Sequence, residues 1–375
     1  MPHESSEIGR SDYIDRLDRA ASAAANARLD ALLISPGSDL RYLIGYDAIP
    51  MERLTCLVLR TTGEHWLVVP ELETAAAQAA GTENLGLELI PWPETADPFA
   101  LVADRLGTIS AVGVDNHMWA EKSLRFAEAM PATAQRLAGS VLDPLRAVKT
   151  AHEIDELARA GAAIDSVHAQ MASWLRPGRS EREVADDIAA AILEAGHVQV
   201  DFVIVASGPN GASPHHEVSD RVLEPGDPVV VDIGGTMPSG YCSDSTRTYS
   251  LGEPPSDFAE YYPVLQAAQA AAVAAVRPGI ACQDIDTVAR TVIADAGYAD
   301  LFIHRTGHGI GLQTHENPYI VEGNTETLQT GHAFSVEPGI YLPGRHGARI
   351  EDIIVCGDNG PIPLNKRPHD IGVIE

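Results

Sequence analysis

Two hairpins of apolar residues, each carrying a pair of carboxylates, restrict the folds open to this chain more than any other feature of its sequence. The first reads VVVDIGG, turns through TMPSG and returns as YCSDSTRTY; the second reads AFSVEPGIYL, turns at Gly344 and returns as ARIEDIIV. Val, Ile, Phe and Tyr favour strands, so folding these segments buries Asp232, Asp244, Glu337 and Glu351 as well. A buried ionised carboxylate is very costly unless a cation compensates it. The sequence therefore predicts a fold that places positive charge among these four groups.

The spacing within each hairpin predicts which carboxylates face each other. If the TMPSG turn is centred on its proline, Asp232 lies opposite Asp244 on one face of the sheet. If the second hairpin turns at Gly344, Glu337 lies opposite Glu351 in the same way. Like charges directly opposite each other destabilise a sheet. Two divalent cations would balance the four negative charges, so we expect a dinuclear metal site.

A histidine-rich segment, HRTGHGIGLQTHENP, lies between the two hairpins. It contains His304, His308 and His315, and the alternate glycines at positions 307, 309 and 311 allow the backbone to approach a neighbour closely. The glycine spacing does not match the G-x-G-x-x-G dinucleotide fingerprint, and the sequence contains no H-E-x-x-H zinc helix, G-x-S-x-G elbow or Walker A loop. We interpret the three histidines between two acidic hairpins as part of a site.

A change in sequence texture near residue 147 divides the chain into two predicted domains, 1–146 and 147–375. Between residue 12 and about residue 145, short apolar runs alternate with helical stretches, which is typical of an α/β domain. The T-x-x-E box at Thr150 and the S-x-x-E box at Ser180 predict two helix starts. We expect the first helix to extend to near Trp174 and the second to stop at Gly196. The rest of the second domain alternates strands and helices.

The charge and cysteine content argue against several classes of partner. Lys and Arg total 26 against 53 Asp and Glu, and the resulting net charge of −27 repels nucleic-acid phosphates and anionic lipid. No apolar run reaches the roughly 18 residues of a membrane span, and the polar N-terminus lacks the apolar core of a signal peptide. The four scattered cysteines do not form a disulfide framework. We therefore expect a cytoplasmic protein with buried thiols and without nucleic-acid or membrane partners.

These motifs resemble those of the pita-bread metallopeptidases, the family of methionine aminopeptidases, aminopeptidase P and prolidases. The similar segments are VDIGG, SDSTRT, TGHGIGL, SVEPGIY and RIED, and SDLRYLIGYDAIP resembles the smaller creatinase-type domain. The resemblance implies an α/β N-terminal creatinase-like domain followed by an α+β pita-bread catalytic domain. It also implies five ligands for two divalent metal ions, namely Asp232, Asp244, His308, Glu337 and Glu351.

By the same resemblance, Asp244 and Glu351 bridge the two ions. Asp232 completes the coordination of one ion, and His308 and Glu337 complete that of the other. One imidazole and four carboxylates form a hard donor set, which favours Mn²⁺ and leaves Co²⁺, Zn²⁺ and Fe²⁺ open. Glu337 is also a candidate proton shuttle to the departing amine.

Three further residues match catalytic positions of the proline-directed members of the family. His215 corresponds to a histidine twelve residues before the aspartate of the EPGD turn, and its neighbour His216 leaves the choice between the two open. His315 is implied to donate a hydrogen bond to the developing tetrahedral oxyanion. Arg349 is implied to orient either the substrate or a ligand carboxylate. Thr246 is expected to donate a hydrogen bond to a ligand, which orients that ligand.

The two-domain build resembles the proline-directed branch, because methionine aminopeptidases usually lack an N-terminal partner domain. The resemblance implies dinuclear-metal hydrolysis of Xaa-Pro bonds in short peptides, preferably by a dipeptidase (prolidase), with aminopeptidase P as the alternative. A non-peptidase enzyme on the same fold and a peptidase-dead binding protein are two rivals, and the intact ligand set argues against both. A homodimer is also implied, and we expect a structural role for His304.

Overall fold

A computed structural model describes residues 8–375 of the chain, which divides into two compact units, one ending at Arg146 and the other running Ala147–Glu375. Within the described residues, no helix combines the length and the apolar character that a membrane span requires. All four cysteines are free thiols in buried positions, as predicted.

The first unit is built on one six-stranded sheet with strand order β4-β3-β2-β1-β5-β6. Its strands are Ala31–Ile34 (β1), Cys56–Arg60 (β2), Trp66–Pro70 (β3), Glu88–Trp92 (β4), Ala111–Val114 (β5) and Ala134–Leu137 (β6). Its helices are Arg10–Asn26 (α1), Ser38–Ile44 (α2), Thr74–Ala79 (α3), Pro98–Leu106 (α4), Ala120–Ala129 (α5) and Gly139–Ala147 (α6). The pairings β3–β4, β1–β5 and β5–β6 are parallel.

Helices pack on this sheet because its central strands are apolar throughout. Leu33, Val58 and Val68 form a buried cluster with Phe99 of α4 and Phe126 of α5. The two aromatic rings meet edge to face, with centroids 4.8 Å apart. The alternation of strands and helices predicted for this part of the chain is confirmed.

The second unit contains three sheets, with strand orders β11-β10-β12-β15-β16, β13-β14 and β17-β9-β8-β7. The four-stranded sheet consists of Gln199–Ser207 (β7), Pro228–Thr236 (β8), Cys242–Leu251 (β9) and Gly372–Ile374 (β17). The other strands are Gly307–Gly309 (β10), Glu316–Ile320 (β11), Ala333–Val336 (β12), Gly339–Leu342 (β13), His346–Arg349 (β14), Asp352–Gly357 (β15) and Gly360–Pro363 (β16). The helices are Ala151–His168 (α7), Met171–Trp174 (α8), Glu181–Glu194 (α9), Ser256–Ala275 (α10) and Cys282–Asp295 (α11).

Helices α7 and α9 begin where the two capping boxes predict. The Thr150 N–H donates to Glu153 Oε2 at 2.8 Å, and the Glu153 N–H donates back to Thr150 Oγ1 at 3.3 Å. Ser180 and Glu183 make the same reciprocal pair at 2.8 and 3.2 Å. Each box satisfies two backbone donors that the helix itself leaves unpaired.

The predicted continuous helix from Thr150 to near Trp174 is interrupted after His168. The backbone there tightens into i→i−3 hydrogen bonds, with the Gln170 N–H donating to Val167 O at 3.0 Å, before α8 resumes at Met171. The buried His168 ring contacts Ser245 O at 3.1 Å and Tyr249 OH at 3.0 Å. These contacts hold the end of α7 against β9.

The first acidic hairpin has a different register from the predicted one. Asp232 pairs with Thr246, and Asp244 pairs with Gly234, so the two carboxylates are diagonal rather than directly opposite. The shift arises in the turn, which is centred one residue later than its proline and closed by the Met237 N–H donating to Tyr241 O at 2.9 Å. A shift of two residues in the pairing keeps both carboxylates on one face of the sheet.

The second acidic hairpin has the predicted register on either side of its carboxylates. Val336 of β12 pairs with Asp352 of β15, and Gly339 of β13 pairs with Arg349 of β14. Glu337 and Glu351 themselves leave the ladder. The Glu337 N–H donates to Thr306 O and the Glu351 N–H to Thr246 O, so the hairpin passes from one sheet to another between them. The two glutamates thereby reach the first hairpin.

Close backbone packing around β10 explains two of the alternating glycines. A Cβ on Gly307 would lie 1.8 Å from Ser335 O of β12, and one on Gly309 would lie 2.1 Å from Asn317 O of β11. Any side chain would force the neighbouring strands apart. Glycine at these positions therefore lets β10 fit between β11 and β12.

The buried imidazole of His168 predicts a loss of stability in mild acid. Burial, with a smaller contribution from the charge of Arg247, lowers the pKa of His168 to about 3. The unfolded chain binds a proton at this histidine below about pH 6.5, whereas the native state does not until about pH 3. The stabilisation is therefore fully present above pH 6.5 and decreases as the pH falls. We expect this residue to account for a loss of about 2 kcal/mol between pH 7.5 and pH 5.0.

Urea unfolding of the metal-free protein at pH 7.5, 6.5 and 5.0, followed by circular dichroism, measures this loss. His168→Gln removes the titrating group and should have a shallower dependence on pH. Parallel curves for the two proteins would show that His168 does not contribute.

Candidate metal centre and active site

A cavity of about 560 Å³ in the second unit collects the residues that the sequence analysis selected. Strands β8 and β9 supply two carboxylates, β10 supplies one histidine, and the second acidic hairpin supplies two glutamates and an arginine. The predicted residues that line the cavity are Asp232, Asp244, His308, Glu337, Glu351, His215, His315 and Arg349. His304, for which a structural role is expected, lines it too.

Three of the predicted ligands form a compact group. Asp244, His308 and Glu351 are buried, and each offers a ligand atom within 4.8 Å of the other two. His308 Nε2 lies 3.7 Å from Asp244 Oδ2 and 3.2 Å from Glu337 Oε1. The cluster therefore has the donor types and the spacing of a cation site.

The charges in this group also fit bound cations. Burial, followed by the negative charges of Glu351 and Asp232, raises the pKa of Asp244 well above its ordinary value. Burial and the charges of Glu337 and Asp232 do the same to Glu351. Asp232 Oδ1 is buried without a hydrogen-bond partner among the described residues. Two divalent ions would relieve the repulsion and provide a partner for this oxygen.

Glu337 differs from the other carboxylates because it is next to an imidazole. Burial alone would raise its pKa, but the hydrogen bond and charge of His308, helped by His304 and Arg349, lower it to about 2. Ser335 Oγ donates to Glu337 Oε1 at 3.0 Å. Glu337 is thus held as an ionised carboxylate.

Arg349 connects the two acidic hairpins. Its Nη2 donates to Asp232 Oδ2 at 2.5 Å, and its Nε donates to Thr246 Oγ1 at 3.2 Å. Thr246 Oγ1 donates in turn to Glu351 Oε2 at 2.7 Å, as predicted for this threonine. Of the two expectations for Arg349, the observed contact is with the carboxylate of Asp232, one of the predicted ligands. Its Nη1 donates to Tyr341 OH at 2.9 Å and to Pro214 O at 3.3 Å, and the sequence analysis selected neither of these residues.

His304 belongs to the same hydrogen-bonded group. Its Nε2 lies 2.9 Å from Tyr341 OH, and its Nδ1 lies 2.7 Å from Arg305 O. Burial lowers the pKa of His304, so the ring is neutral near pH 7. The ring both supports Tyr341 and forms part of the cavity wall, which is a larger role than the expected structural one.

The structure separates the two adjacent histidines that the sequence left open. His215 is exposed and lines the cavity. His216 turns away from it, and its Nε2 lies 2.8 Å from Glu181 Oε2. Of the pair, only His215 is placed to contact a ligand in the cavity.

His315 and Arg305 lie on the part of the wall next to His308. The His315 ring meets the His308 ring edge to face with centroids 4.0 Å apart. Burial, with the nearby charges of His308 and Arg305, lowers the pKa of His315 to about 4, so it is neutral near pH 7. The Arg305 guanidinium lies 4.4 Å from the Tyr319 ring centroid. Among residues 8–375 no carboxylate pairs with Arg305.

The sequence analysis missed several wall residues. Phe202, Ile204 and Pro214 form apolar parts of the cavity, and Arg305 provides a cation. The apolar residues carry no local signal, because strand and loop residues of this kind occur throughout the chain. Arg305 does carry one, since it is an arginine within the histidine-rich segment of a strongly acidic protein.

Comparison with known proteins identifies two family models in the chain. Metallopeptidase family M24 matches residues 155–358, which contain all five predicted ligands. The Creatinase/Prolidase N-terminal domain matches residues 16–148. Both models agree with the predicted fold class, an α/β creatinase-like domain followed by a pita-bread catalytic domain.

Several relatives are similar along nearly their whole length. The chain is 53% identical to the probable dipeptidase PepE of Mycobacterium tuberculosis over 363 residues, which cover 96% of each protein. It is 33% identical to the Xaa-Pro dipeptidase of Lactobacillus delbrueckii subsp. lactis, with 96% of this chain and 98% of the relative covered. The crystal structure of dipeptidase PepE from Mycobacterium ulcerans superposes with a TM-score of 0.95 at 53% identity, covering 98% of this chain and 100% of that one.

The repulsion between the buried carboxylates predicts opposite effects of one substitution with and without metal. Asp244→Asn removes one charge from the cluster, so the metal-free variant should melt about 2–4 °C higher than the metal-free wild type. Mn²⁺ should raise the melting temperature of the wild type by mass action. It should have little effect on the variant, and mass spectrometry should find its metal content reduced.

Asp165→Asn is the matched control, because Asp165 is also a buried carboxylate but lies outside the cavity and accepts hydrogen bonds from Asn365 and the Lys366 N–H. This control should melt lower than the wild type and keep the full response to Mn²⁺. Equal stabilisation of the wild type and Asp244→Asn by Mn²⁺ would show that Asp244 is not a ligand.

Proposed function

The chain belongs to metallopeptidase family M24, and on that premise we propose that it is a dinuclear-metal Xaa-Pro dipeptidase. The observation that carries the dipeptidase assignment is Arg305, a cation on the cavity wall without a carboxylate partner among the described residues. A dipeptide places its C-terminal carboxylate one residue beyond the scissile bond, where such a guanidinium can bind it. The relatives named dipeptidase and Xaa-Pro dipeptidase support the same assignment.

The proposed metal ligands are Asp232, Asp244, His308, Glu337 and Glu351. Divalent cations bound there polarise the peptide carbonyl and allow water to lose a proton near neutral pH. The single imidazole and four carboxylates make Mn²⁺ the proposed ion. Arg349 holds the carboxylate of Asp232 and Thr246 holds that of Glu351. These carboxylates are therefore already in place in the metal-free state and do not need to rearrange when metal binds.

Two side chains are proposed to act on the reacting peptide bond. His315 is neutral and can donate one N–H to the oxygen of the developing tetrahedral centre. Glu337 is ionised and can accept a proton and pass it to the departing proline nitrogen. Their positions on one wall, beside His308, support these complementary roles.

The cavity also suits the chemistry of proline. An Xaa-Pro bond is a tertiary amide without an N–H, and the ring is compact and apolar. Phe202, Ile204 and Pro214 offer apolar contacts for such a ring, and His215 lies beside them. The free α-amine of the substrate is positively charged and complements the acidic side of the cavity.

We also propose that the protein is a cytoplasmic homodimer. The four free, buried thiols support a reducing compartment, and the dimer follows from the family resemblance. Light scattering of the purified protein measures its mass against the 39.9 kDa of one chain.

Hydrolysis of a small set of peptides tests the proposed specificity. We expect Ala-Pro to be cleaved faster than Ala-Pro-Ala and both faster than Met-Ala-Ser in the presence of Mn²⁺. A preference for Ala-Pro-Ala would assign the protein as an aminopeptidase P. Preferential release of methionine from Met-Ala-Ser would reject the proline-directed function, and full metal loading without hydrolysis of any peptide would indicate a binding protein.

Arg305→Met tests the carboxylate contact directly. Loss of a charge-assisted hydrogen bond should raise the KM for Ala-Pro about 10–100-fold. The variant should treat Ala-Pro and Ala-Pro amide alike, because the amide already lacks the charge. Arg345→Met is the matched control, since Arg345 is exposed and pairs with Asp257 outside the cavity. Unchanged discrimination between the two peptides in Arg305→Met would contradict the assignment.

His315→Ala tests the oxyanion donor. We expect kcat to fall about 10²–10³-fold, because the hydrogen bond is made in the transition state. The metal content should stay near that of the wild type, since His315 is not a proposed ligand. His304→Ala should cost less than His315→Ala, because the His304 ring nitrogens already contact Tyr341 OH and Arg305 O and are not proposed to act on the peptide. Equal losses at the two positions would show that their roles are not distinct.

A further inference from the structure

One buried carboxylate outside the cavity, that of Glu181, accepts more hydrogen bonds than any other acidic group in the described residues. Glu181 is the first residue of α9 and has no exposed surface. Burial raises its pKa, but hydrogen bonds from Ser219 and Ser207 outweigh that effect and the net pKa is lowered. Glu181 is therefore ionised. None of the hydrogen-bond partners of Glu181 is a proposed metal ligand, and Glu181 takes no part in the proposed reaction.

Every hydrogen-bond donor to the Glu181 carboxylate, from backbone or side chain, comes from one segment, residues 207–219. This segment connects β7 to the loop before β8. Ser207 donates its N–H at 2.8 Å and its hydroxyl at 2.7 Å to Oε1. Asn210 Nδ2 lies 2.9 and 3.1 Å from the two oxygens. Ser219 donates its hydroxyl to Oε2 at 2.6 Å and its N–H at 3.2 Å. One carboxylate thus binds both ends and the middle of the segment.

The same segment carries two residues of the cavity wall, Pro214 and His215. His216, directly after them, completes the set of donors to Glu181 with its Nε2 at 2.8 Å from Oε2. The side chains of these consecutive histidines diverge, because one lines the cavity and the other reaches the buried carboxylate. His215 itself makes no hydrogen bond to protein among residues 8–375. The direction of its ring therefore depends on how the backbone around it is held.

We propose that Glu181, acting through His216, is a positioning group that aims His215 into the cavity. The buried carboxylate binds the His216 ring. This contact fixes the backbone beside His215 and leaves the His215 ring free to contact the peptide. The proposal rests on the proposed function only in taking the cavity as the place where peptide binds. It assigns a role to two residues that neither contact the cavity nor hold metal.

A purely structural role for Glu181 makes a different prediction. If the carboxylate only stabilised the segment, weakening the hydrogen bonds between them would lower activity to the same extent whether or not His215 was present. If the carboxylate positions His215, weakening its hydrogen bonds should not lower activity further once the His215 ring has been removed. A double-mutant cycle between positions 216 and 215 distinguishes the two, because coupled residues are not additive.

The cycle consists of wild type, His216→Ala, His215→Ala and the double variant. Each is assayed with Mn²⁺ on the peptide that the wild type cleaves fastest. The His216 side chain is 15% exposed and that of Glu181 is fully buried, so truncation of His216 is milder than Glu181→Gln, which is run alongside as the more severe change. His216→Gln retains an N–H that can reach Glu181 and serves as the conservative rescue. Arg345→Gln is the control, since Arg345 is exposed and pairs with Asp257, outside both the cavity and the segment 207–219.

We expect His216→Ala to lower kcat/KM about tenfold in the presence of His215 and less than twofold in the His215→Ala background, because misplacing a group that contacts substrate is costly. His216→Gln should recover most of the loss. Arg345→Gln should stay within about twofold of wild type, as expected for an exposed ion pair. Metal content, measured by mass spectrometry, should be unchanged in all of them.

Equal losses in both backgrounds, or no loss in His216→Ala, would overturn the proposal. A fall in metal content in His216→Ala would also overturn the proposal, since loss of bound metal would then explain the lower activity. Because the assay uses whichever peptide the wild type prefers, a wild type that prefers Met-Ala-Ser would reject the proline-directed function and leave this test intact.

Discussion

Repulsion between carboxylates buried in one cavity is the interaction on which the second unit depends. Burial and mutual negative charge raise the pKa of both Asp244 and Glu351, and cations are the compensation that their donor atoms fit. The surrounding fold brings these groups together despite that cost. The two hairpins meet where the Glu351 N–H donates to Thr246 O, and β10 packs between its neighbours closely enough that a side chain on Gly307 would collide with Ser335. The apolar strands supply the free energy that holds the acidic groups in place.

The residues that line the cavity are positioned partly by strands and partly by a loop. Arg349 and Thr246, both on strands, hold the carboxylates of Asp232 and Glu351 through hydrogen bonds of 2.5 and 2.7 Å. Strands position such groups well because ladder hydrogen bonds fix their backbones. His215, which lines the cavity and is proposed to contact the substrate, lies on a loop segment instead. There the buried carboxylate of Glu181 takes the place of a ladder and binds the segment at Ser207, Asn210, His216 and Ser219.

The distribution of charge around the cavity also suits a short peptide more than a long one. The ligand cluster is negative, and Arg305 on the wall is positive without a carboxylate partner among the described residues. A dipeptide is itself a zwitterion whose two charges are separated by one peptide bond. The proposed specificity therefore depends on complementarity at both ends of the substrate, with the apolar wall of Phe202 and Ile204 accommodating the ring between them.

The sequence by itself determined the elements and the chemistry of the site. Capping boxes at Thr150 and Ser180 mark helix starts because their hydrogen bonds are local, and the second hairpin keeps its predicted register because Gly344 adopts the left-handed turn that glycine permits. The first hairpin shows the limit, since its turn closes one residue later and moves Asp232 opposite Thr246. The contacts of Tyr341, Arg305 and Glu181 were decided only by the tertiary structure. Their partners lie up to 38 residues away along the chain, and no local pattern specifies which distant group a side chain will meet.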